Sequence, residues 1–288
     1  MNTEFNKIVY DSSFGYIITH TEGMSAENST LDYPHSTANF IIYYFIHGTG
    51  NIKIEGRHYD INEGDIVILD PSEVFHCTVD SNKLHERIVL HLNETLLKNF
   101  PCDCTSLFMP FYKKEKGINN HLSAATVKKY GLDKALENML YLVKSEDSIS
   151  SVLVICKIIE FLAQLNKIFS TAQSKDSEHT KVNPLINMVL DYLNKNFTKD
   201  FNITDIALKF NIDKSYLSHL FKEQVGISVW SYVIFRRIYL FNNLIKQGKS
   251  IEETSRQVGF KNYSNFFRLY KKHMQMTPMQ FKKKTSIL

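Results

Sequence analysis

Apolar residues in the first third of the chain come in short runs separated by turn signals. The run FIIYYFI at 40–46 is followed by His47-Gly48-Thr49-Gly50, then by Ile52-Lys53-Ile54-Glu55, then by Gly56-Arg57. A turn at Asn62-Glu63-Gly64-Asp65, the run IVIL, a break at Pro71 and the run RIVLHL at 87–92 continue the series. Strands this short and this closely spaced predict a small antiparallel sandwich or barrel.

From about residue 124 to 169 the spacing becomes helical, through Leu136, Met139, Leu140 and Val143 and then Ile155, Ile158, Ile159, Leu162, Leu165 and Phe169. The stretch 145–151 divides it into two helices, which either pack on the sheet or form a dimer interface. STAQSKDSEHT at 170–180 has no apolar period and reads as a linker. Asn183-Pro184 then supplies a helix cap and a proline in the first turn, and everything beyond reads as helix and short turn. The organisation predicted is a β-barrel domain at 1–122, a helical dimerisation region at 123–170, a linker at 171–182 and an all-α domain at 183–288.

The net charge of +4 hides an asymmetry that changes this picture. Residues 1–180 hold 16 Lys and Arg against 23 Asp and Glu, whereas residues 181–288 hold 18 against 7. A C-terminal part carrying +11 suits a polyanion, because each cation set beside a phosphate releases condensed counterions. A solvated basic face would give the same count, so pattern has to decide.

The pattern is a repeat. ITDIALKFNIDKSYLSHLFKEQVGIS at 203–228 recurs as IEETSRQVGFKNYSNFFRLYKKHMQMT at 251–277, offset by 48 residues and then 49. Each copy reads as a short helix, a turn and a longer helix. In the first, Ile206, Ala207, Phe210, Leu217, Leu220 and Phe221 form the inward stripe, leaving Ser215, Ser218, His219 and Lys222 outward. In the second, Ser250 and Glu253 form a capping box, Gly259 sits where the turn calls for a positive φ, and Asn262 caps the next helix. Phe266 and Tyr270 face inward there, and Tyr263, Ser264, Phe267, Arg268 and Lys271 outward. SVWSYVIFRRIYLFNNLIKQ at 228–247 contains no breaker and reads as one connecting helix, roughly 30 Å long at about 1.5 Å per residue. That is close to the DNA repeat of about 34 Å, so both longer helices can reach successive major grooves.

In these features the chain resembles the AraC family, whose signature is two helix-turn-helix units joined by a long helix. The resemblance covers 183–282 and rests on Ile206-Ala207, Leu217, Phe221-Lys222, Gly226, Arg237, Val258-Gly259-Phe260, Phe266, Arg268 and Thr277-Pro278. Tyr270 replaces the usual Phe, Gln275 the usual Gly, Phe241 the usual Ala and Lys282 the usual Arg. It implies double-stranded DNA as partner, with Ser215, Ser218, His219, Tyr263, Ser264, Phe267 and Arg268 toward bases, Lys222 and Lys271 toward phosphate, and Asn262 at the DNA-binding surface as the cap of the second reading helix. Arg268 carries the sharpest expectation, because a guanidinium bridges guanine O6 and N7. Phe267 suits either a thymine methyl or the edge of the core, and Arg237 either a structural ion pair or a DNA contact.

A looser resemblance, over about 15–92, is to the cupin-like sensor of the same family: Tyr33-Pro34-His35, the strand to Ile46, Gly48-x-Gly50, Asn62-x-Gly64-Asp65 and Pro71 followed by His76. It implies a small-molecule effector, a sugar or another metabolite, with His35, Tyr43, His76, Glu86 and Arg87 at the mouth of the barrel, a homodimer, and gene activation with RNA polymerase as a further partner. Metal-dependent cupin enzymes use an HxH step, but here Thr37 stands where the second histidine would be, so neither a catalytic metal nor a cofactor is expected. Two alternatives are a constitutive regulator whose cupin only dimerises, and a metal-dependent cupin enzyme. Cys77, Cys102, Cys104 and Cys156 are too irregular for a disulfide framework and read as reduced thiols. The absence of any long apolar run or secretory pattern predicts a soluble cytoplasmic protein without a membrane partner.

Overall fold

The fold is taken from a computed structural model that describes residues 6–11, 14–24, 39–80, 83–93, 96, 105–145, 147–171 and 183–286. His35, Thr37, Cys102, Cys104 and the linker residues 172–182 lie outside the described residues.

Two antiparallel sheets face each other in the N-terminal half. The larger has the order β1 (Asn6–Asp11), β2 (Tyr16–Met24), β8 (Leu84–Leu92), β3 (Phe40–His47), β6 (Ile66–Leu69) and β9 (His121–Leu122). The smaller consists of β5 (Arg57–Ile61), β4 (Gly50–Ile54) and β7 (Phe75–Val79). The cupin-like barrel expected from sequence is therefore built as an open pair of sheets, and β1 and β2 extend it before the first strand that the apolar runs predict.

The run FIIYYFI has no polar alternation because both of its faces are covered. Ile41, Tyr43 and Phe45 point between the sheets with Ile52, Ile54, Phe75 and Val89, while Phe40, Ile42 and Tyr44 point to the opposite face. That second face lies under α3 (Leu132–Val143) and α4 (Ser148–Thr171), joined by Phe108 and by Phe111 of α1 (Met109–Tyr112). Gly131, in the left-handed region at φ 65°, separates α3 from α2 (Ala124–Tyr130). The helical pair expected at 124–169 thus packs on the sheet. In α4 the fully buried stripe is Val154, Ile158, Phe161, Leu162, Leu165 and Ile168, which shares only Ile158, Leu162 and Leu165 with the stripe that sequence spacing indicates. Ile155, Ile159 and Phe169 are only partly covered.

The C-terminal half is all helix: α5 (Pro184–Asn196), α6 (Ile203–Lys209), α7 (Lys214–Val225), α8 (Val229–Lys246), α9 (Ile251–Gln257), α10 (Tyr263–Met274) and α11 (Pro278–Ser286). Helix α8 supplies both cores. Val229, Tyr232, Val233 and Phe235 pack with α5, α6 and α7, and Ile234, Ile238, Phe241 and Ile245 pack with α10 and α11. A helix used on all sides has to be apolar on all sides, which is why residues 232–238 are buried without interruption.

Helix α7 ends on Gly226 and α10 on Gln275, both in the left-handed region, at φ 86° and 53°. Only glycine takes that conformation without a steric cost. Gln275→Gly is expected to stabilise the C-terminal domain by about 0.5–1 kcal/mol, read as a higher midpoint in thermal unfolding.

Candidate nucleic-acid interface

Each repeat folds as a helical hairpin whose second helix begins on a side-chain cap. Asp213 Oδ1 accepts from the amides of Ser215 (2.7 Å) and Tyr216 (3.0 Å), and these donors hold its carboxyl below the usual range. Asn262 Oδ1 accepts from Ser264 (2.8 Å) and Asn265 (3.2 Å) in the same way. Ser250 caps α9 by accepting from the Glu253 amide at 3.3 Å. With Leu217 and Phe221 of α7 and Phe266 and Tyr270 of α10 anchored below, the opposite faces are fixed outward.

Those faces carry the residues expected from sequence. Ser215, His219 and Lys222 are exposed and Ser218 is half-buried, its hydroxyl donating to the Lys214 carbonyl (2.9 Å). On α10, Tyr263, Ser264, Arg268 and Lys271 are exposed, as is the cap Asn262. Phe267 is half-buried with its ring 6.4 Å from that of Tyr263, so it forms the edge of an aromatic surface rather than part of the core. Arg268 extends over its own helix, where one guanidinium nitrogen meets Asn265 Oδ1 at 3.2 Å.

Arg237 occupies neither of the two places that the sequence leaves open for it. It is buried, and its guanidinium donates to the carbonyls of Phe197 (2.6 Å), Lys199 (2.8 Å) and Gly259 (2.7 Å). It ties the end of α5, the connector and the turn of the second unit together. Gly259 completes the knot: at φ 102°, a Cβ there would lie 2.4 Å from the Thr198 carbonyl oxygen and 2.9 Å from the guanidinium carbon. Beside it a cleft of about 440 Å³ separates the two units, lined among others by Phe201, Trp230, Lys261 and Asn265. Lys261, paired with Asp200 at 2.8 Å, is a basic group beside α10 that the repeat comparison does not single out.

In the N-terminal domain Tyr43 and Arg87 point between the two sheets. Tyr43 is packed against Phe45 and Phe75, with ring centroids 6.0 and 5.9 Å away. Arg87, only 6% exposed, lies opposite Thr21 on β2 and Phe45 on β3. The interior is therefore aromatic and aliphatic around Tyr43 and polar around Thr19, Thr21 and Arg87. Glu86 is on the opposite face of the same strand. His76 is on the small sheet and meets the C-terminal domain, where a Cβ on Gly226 would lie 2.5 Å from its own Cβ. Neither lines the space between the sheets.

The seam between the two halves was not foreseen. The Tyr232 hydroxyl donates to Glu55 Oε2 (2.7 Å), Arg236 donates to the Ser72 carbonyl (2.6 Å), Lys53 donates to the Glu223 carbonyl, and His58 pairs with the Gln224 carbonyl (3.1 Å). Val74 completes the core of the first helix-turn-helix unit. Burial, and after it Lys53, holds both His58 and His76 below the ordinary imidazole range; burial and then Arg236 bring Lys116 down to about 8. Glu55 adopts φ 49° in the β4–β5 turn, a strained choice for a non-glycine residue. Its carboxylate also accepts from the Val74 amide at 2.9 Å. No signal in the local sequence points to this contact, because the partner of Glu55, Tyr232, is 177 positions away.

A family model described as an AraC-like ligand binding domain matches residues 19–185, and one described as a helix-turn-helix domain matches 206–284. The chain belongs to the AraC family. Like other members it is a DNA-binding transcription regulator with an effector-binding domain. Among its relatives, the arabinose operon regulatory protein of Escherichia coli is 24% identical over 88% of this chain and 83% of its own length. The Msm operon regulatory protein of Streptococcus mutans is 22% identical over 85% and 84%, and the lactose operon transcription activator of Staphylococcus xylosus 23% identical over 86% and 85%. Among solved structures, ToxT of Vibrio cholerae covers 95% of this AraC-family chain and 99% of its own, at 15% identity and a TM-score of 0.40. No described helix is long and apolar enough to cross a membrane.

Proposed function

We propose that the chain is a sequence-specific activator of a metabolic operon, responding to an effector held between its two sheets. The observation that carries this reading is the pair of capped helices α7 and α10, each presenting a short polar and basic face, on the two ends of one connector buried in both cores. In this reading Ser215, Ser218, His219, Tyr263, Ser264, Phe267 and Arg268 meet base edges, Lys222 and Lys271 meet phosphate, and Asn262 sets the start of α10. The relatives named for lactose and arabinose operons, one of them as an activator, support a sugar or similar metabolite as effector. Tyr43 and Arg87 suit such a ligand, offering an aromatic face and a charged donor. The seam at Glu55–Tyr232 and Ser72–Arg236 gives effector binding a route to the first reading unit. RNA polymerase is the partner that activation requires.

Arg268→Ala is expected to cost about 1–3 kcal/mol on the preferred site and almost nothing on a site already changed at the one base pair that Arg268 reads. Lys222→Ala is expected to weaken all sequences alike and to flatten the salt dependence by about one unit of slope. Equal behaviour of the two in binding titrations across salt concentrations would overturn this division of base and phosphate contacts.

The second copy of the chain is assigned to the outward stripe of α4. Ile149, Val152 and Leu153 are exposed there, and Cys156 continues the stripe one turn on. A short bis-maleimide is expected to link two chains through Cys156 in solution and to fail on Cys156→Ser; a monomeric sedimentation profile would remove the dimer from the account.

A further inference from the structure

Near one end of three strands of the large sheet, histidines and carboxylates form a row that plays no part in the function proposed above. On the helix-covered side, Glu22 of β2 lies directly opposite Glu86 of β8, and Glu86 lies directly opposite His47 of β3. Two carboxylates facing each other across a strand pair are destabilising unless something positive sits between them. His20 is on the same face of β2, with Nε2 2.8 Å from Glu86 Oε1. Potential ligand atoms of His20, Glu22 and Glu86 all lie within 4.8 Å of one another.

His47 reaches this row because the strand is irregular. Phe45 pairs with Arg87 and His47 with Glu86, so Ile46 is an extra residue in β3. Without that bulge, Ile46 would face Glu86 and His47 would pair one position further along. Bulges re-aim side chains beside functional sites. This one brings His47 Nε2 to 3.9 Å from Glu86 Oε2, and the other ring nitrogen, Nδ1, lies 3.9 Å from Glu63 Oε1. A histidine with one nitrogen toward a ligand cluster and the other toward a carboxylate is the arrangement that outer-shell carboxylates impose on metal-bound imidazoles.

We propose that His20, His47, Glu22 and Glu86 form a binding site for one divalent transition ion of the zinc class, with Glu63 orienting His47. Two imidazoles and two carboxylates match the donors and the four-fold coordination of zinc. The site tethers β2, β8 and the bulged end of β3 at the rim of the sheet. It is separate from the space between the sheets, since Tyr43 and Arg87 point to the other face.

The test uses the full chain, stripped with a chelator and titrated with Zn²⁺ in competition with a chromogenic indicator. One equivalent bound per chain with sub-micromolar affinity is expected, falling at least 100-fold in His20→Ala and in His47→Ala and about 10–100-fold in Glu63→Gln. Cobalt substitution is expected to give visible absorption without a sulfur-to-metal charge-transfer band, which excludes the cysteines as ligands. Circular dichroism checks that each variant folds. Should His20→Ala fail to fold, Glu22→Gln, on an exposed residue, carries the same test. Binding weaker than 100 µM, a thiolate band, or unchanged affinity in the folded variants would overturn the proposal.

Discussion

Replacing Arg237 by methionine is expected to destabilise the C-terminal domain by about 3 kcal/mol or more, and with it binding to both half-sites. The methionine keeps most of the buried stem but leaves the carbonyls of Phe197, Lys199 and Gly259 without their donor. Hydrogen bonds from a charged group are worth about 1.5–3 kcal/mol each, and buried acceptors left unmade cost more than the mean bond returns. Arg237→Lys is expected to recover only part of the loss, because one ammonium cannot reproduce a planar fork aimed at three oxygens. Urea unfolding of the full chain, followed through Trp230 fluorescence, measures the effect. A variant of unchanged stability with a lower salt slope in DNA binding would instead make Arg237 a phosphate contact.

The second large effect is expected at Glu73, in the turn before β7. Its side chain is fully buried; Oε1 accepts from Lys114 Nζ and from the Gly117 amide (2.8 Å), and Oε2 from Asn120 (2.9 Å) and the Asp70 amide (2.8 Å). The Lys114 side chain is only 3% exposed, so removing the carboxylate strands a cation. Glu73→Ala is expected to cost about 3–5 kcal/mol, as breaking one half of a buried pair does. Adding Lys114→Met is expected to restore more than half of it, because well-packed apolar replacements of a buried pair are often neutral. Glu73 lies between Ser72 and Val74, which contact the DNA-binding half, so the single variant is also expected to loosen the seam. Additive losses in the double variant would mean that the two side chains are not coupled.

Most of the DNA-binding half was legible in the sequence because its determinants are local. The caps at Ser250 and Asn262 bond to amides two or three residues on, and Gly259 reports its own backbone angle. The connector announced itself by a run without breakers. Arg237 could not be resolved in the same way, since its partners lie 22–40 positions away and are carbonyls, which carry no side-chain signature. In the sensor the apolar runs mark β3, β4, β6 and β8, but neither the more polar β1, β2, β5, β7 and β9 nor which residues share a face across the strands. The pairing of β2 with β8 joins positions 17 and 91, and only that register opposes Glu22 to Glu86. His76 belonged to a motif resembling a ligand site, yet its strand lies on the sheet that docks α7. In α4 the sequence spacing includes Ile158, Leu162 and Leu165 of the buried stripe but takes Ile155, Ile159 and Phe169 where the structure buries Val154, Phe161 and Ile168, because apolar residues on adjacent faces leave the period ambiguous.

The central claim is that the two helical hairpins read DNA sequence as one unit. Selection of genomic fragments by the purified full chain at about 150 mM salt tests it most directly, because that ionic strength suppresses purely electrostatic binding. The expected result is an enriched motif with two conserved segments about one helical turn apart for each chain, the spacing that α8 imposes between α7 and α10. Fragments retained without any shared motif, with and without candidate sugars present, would contradict it.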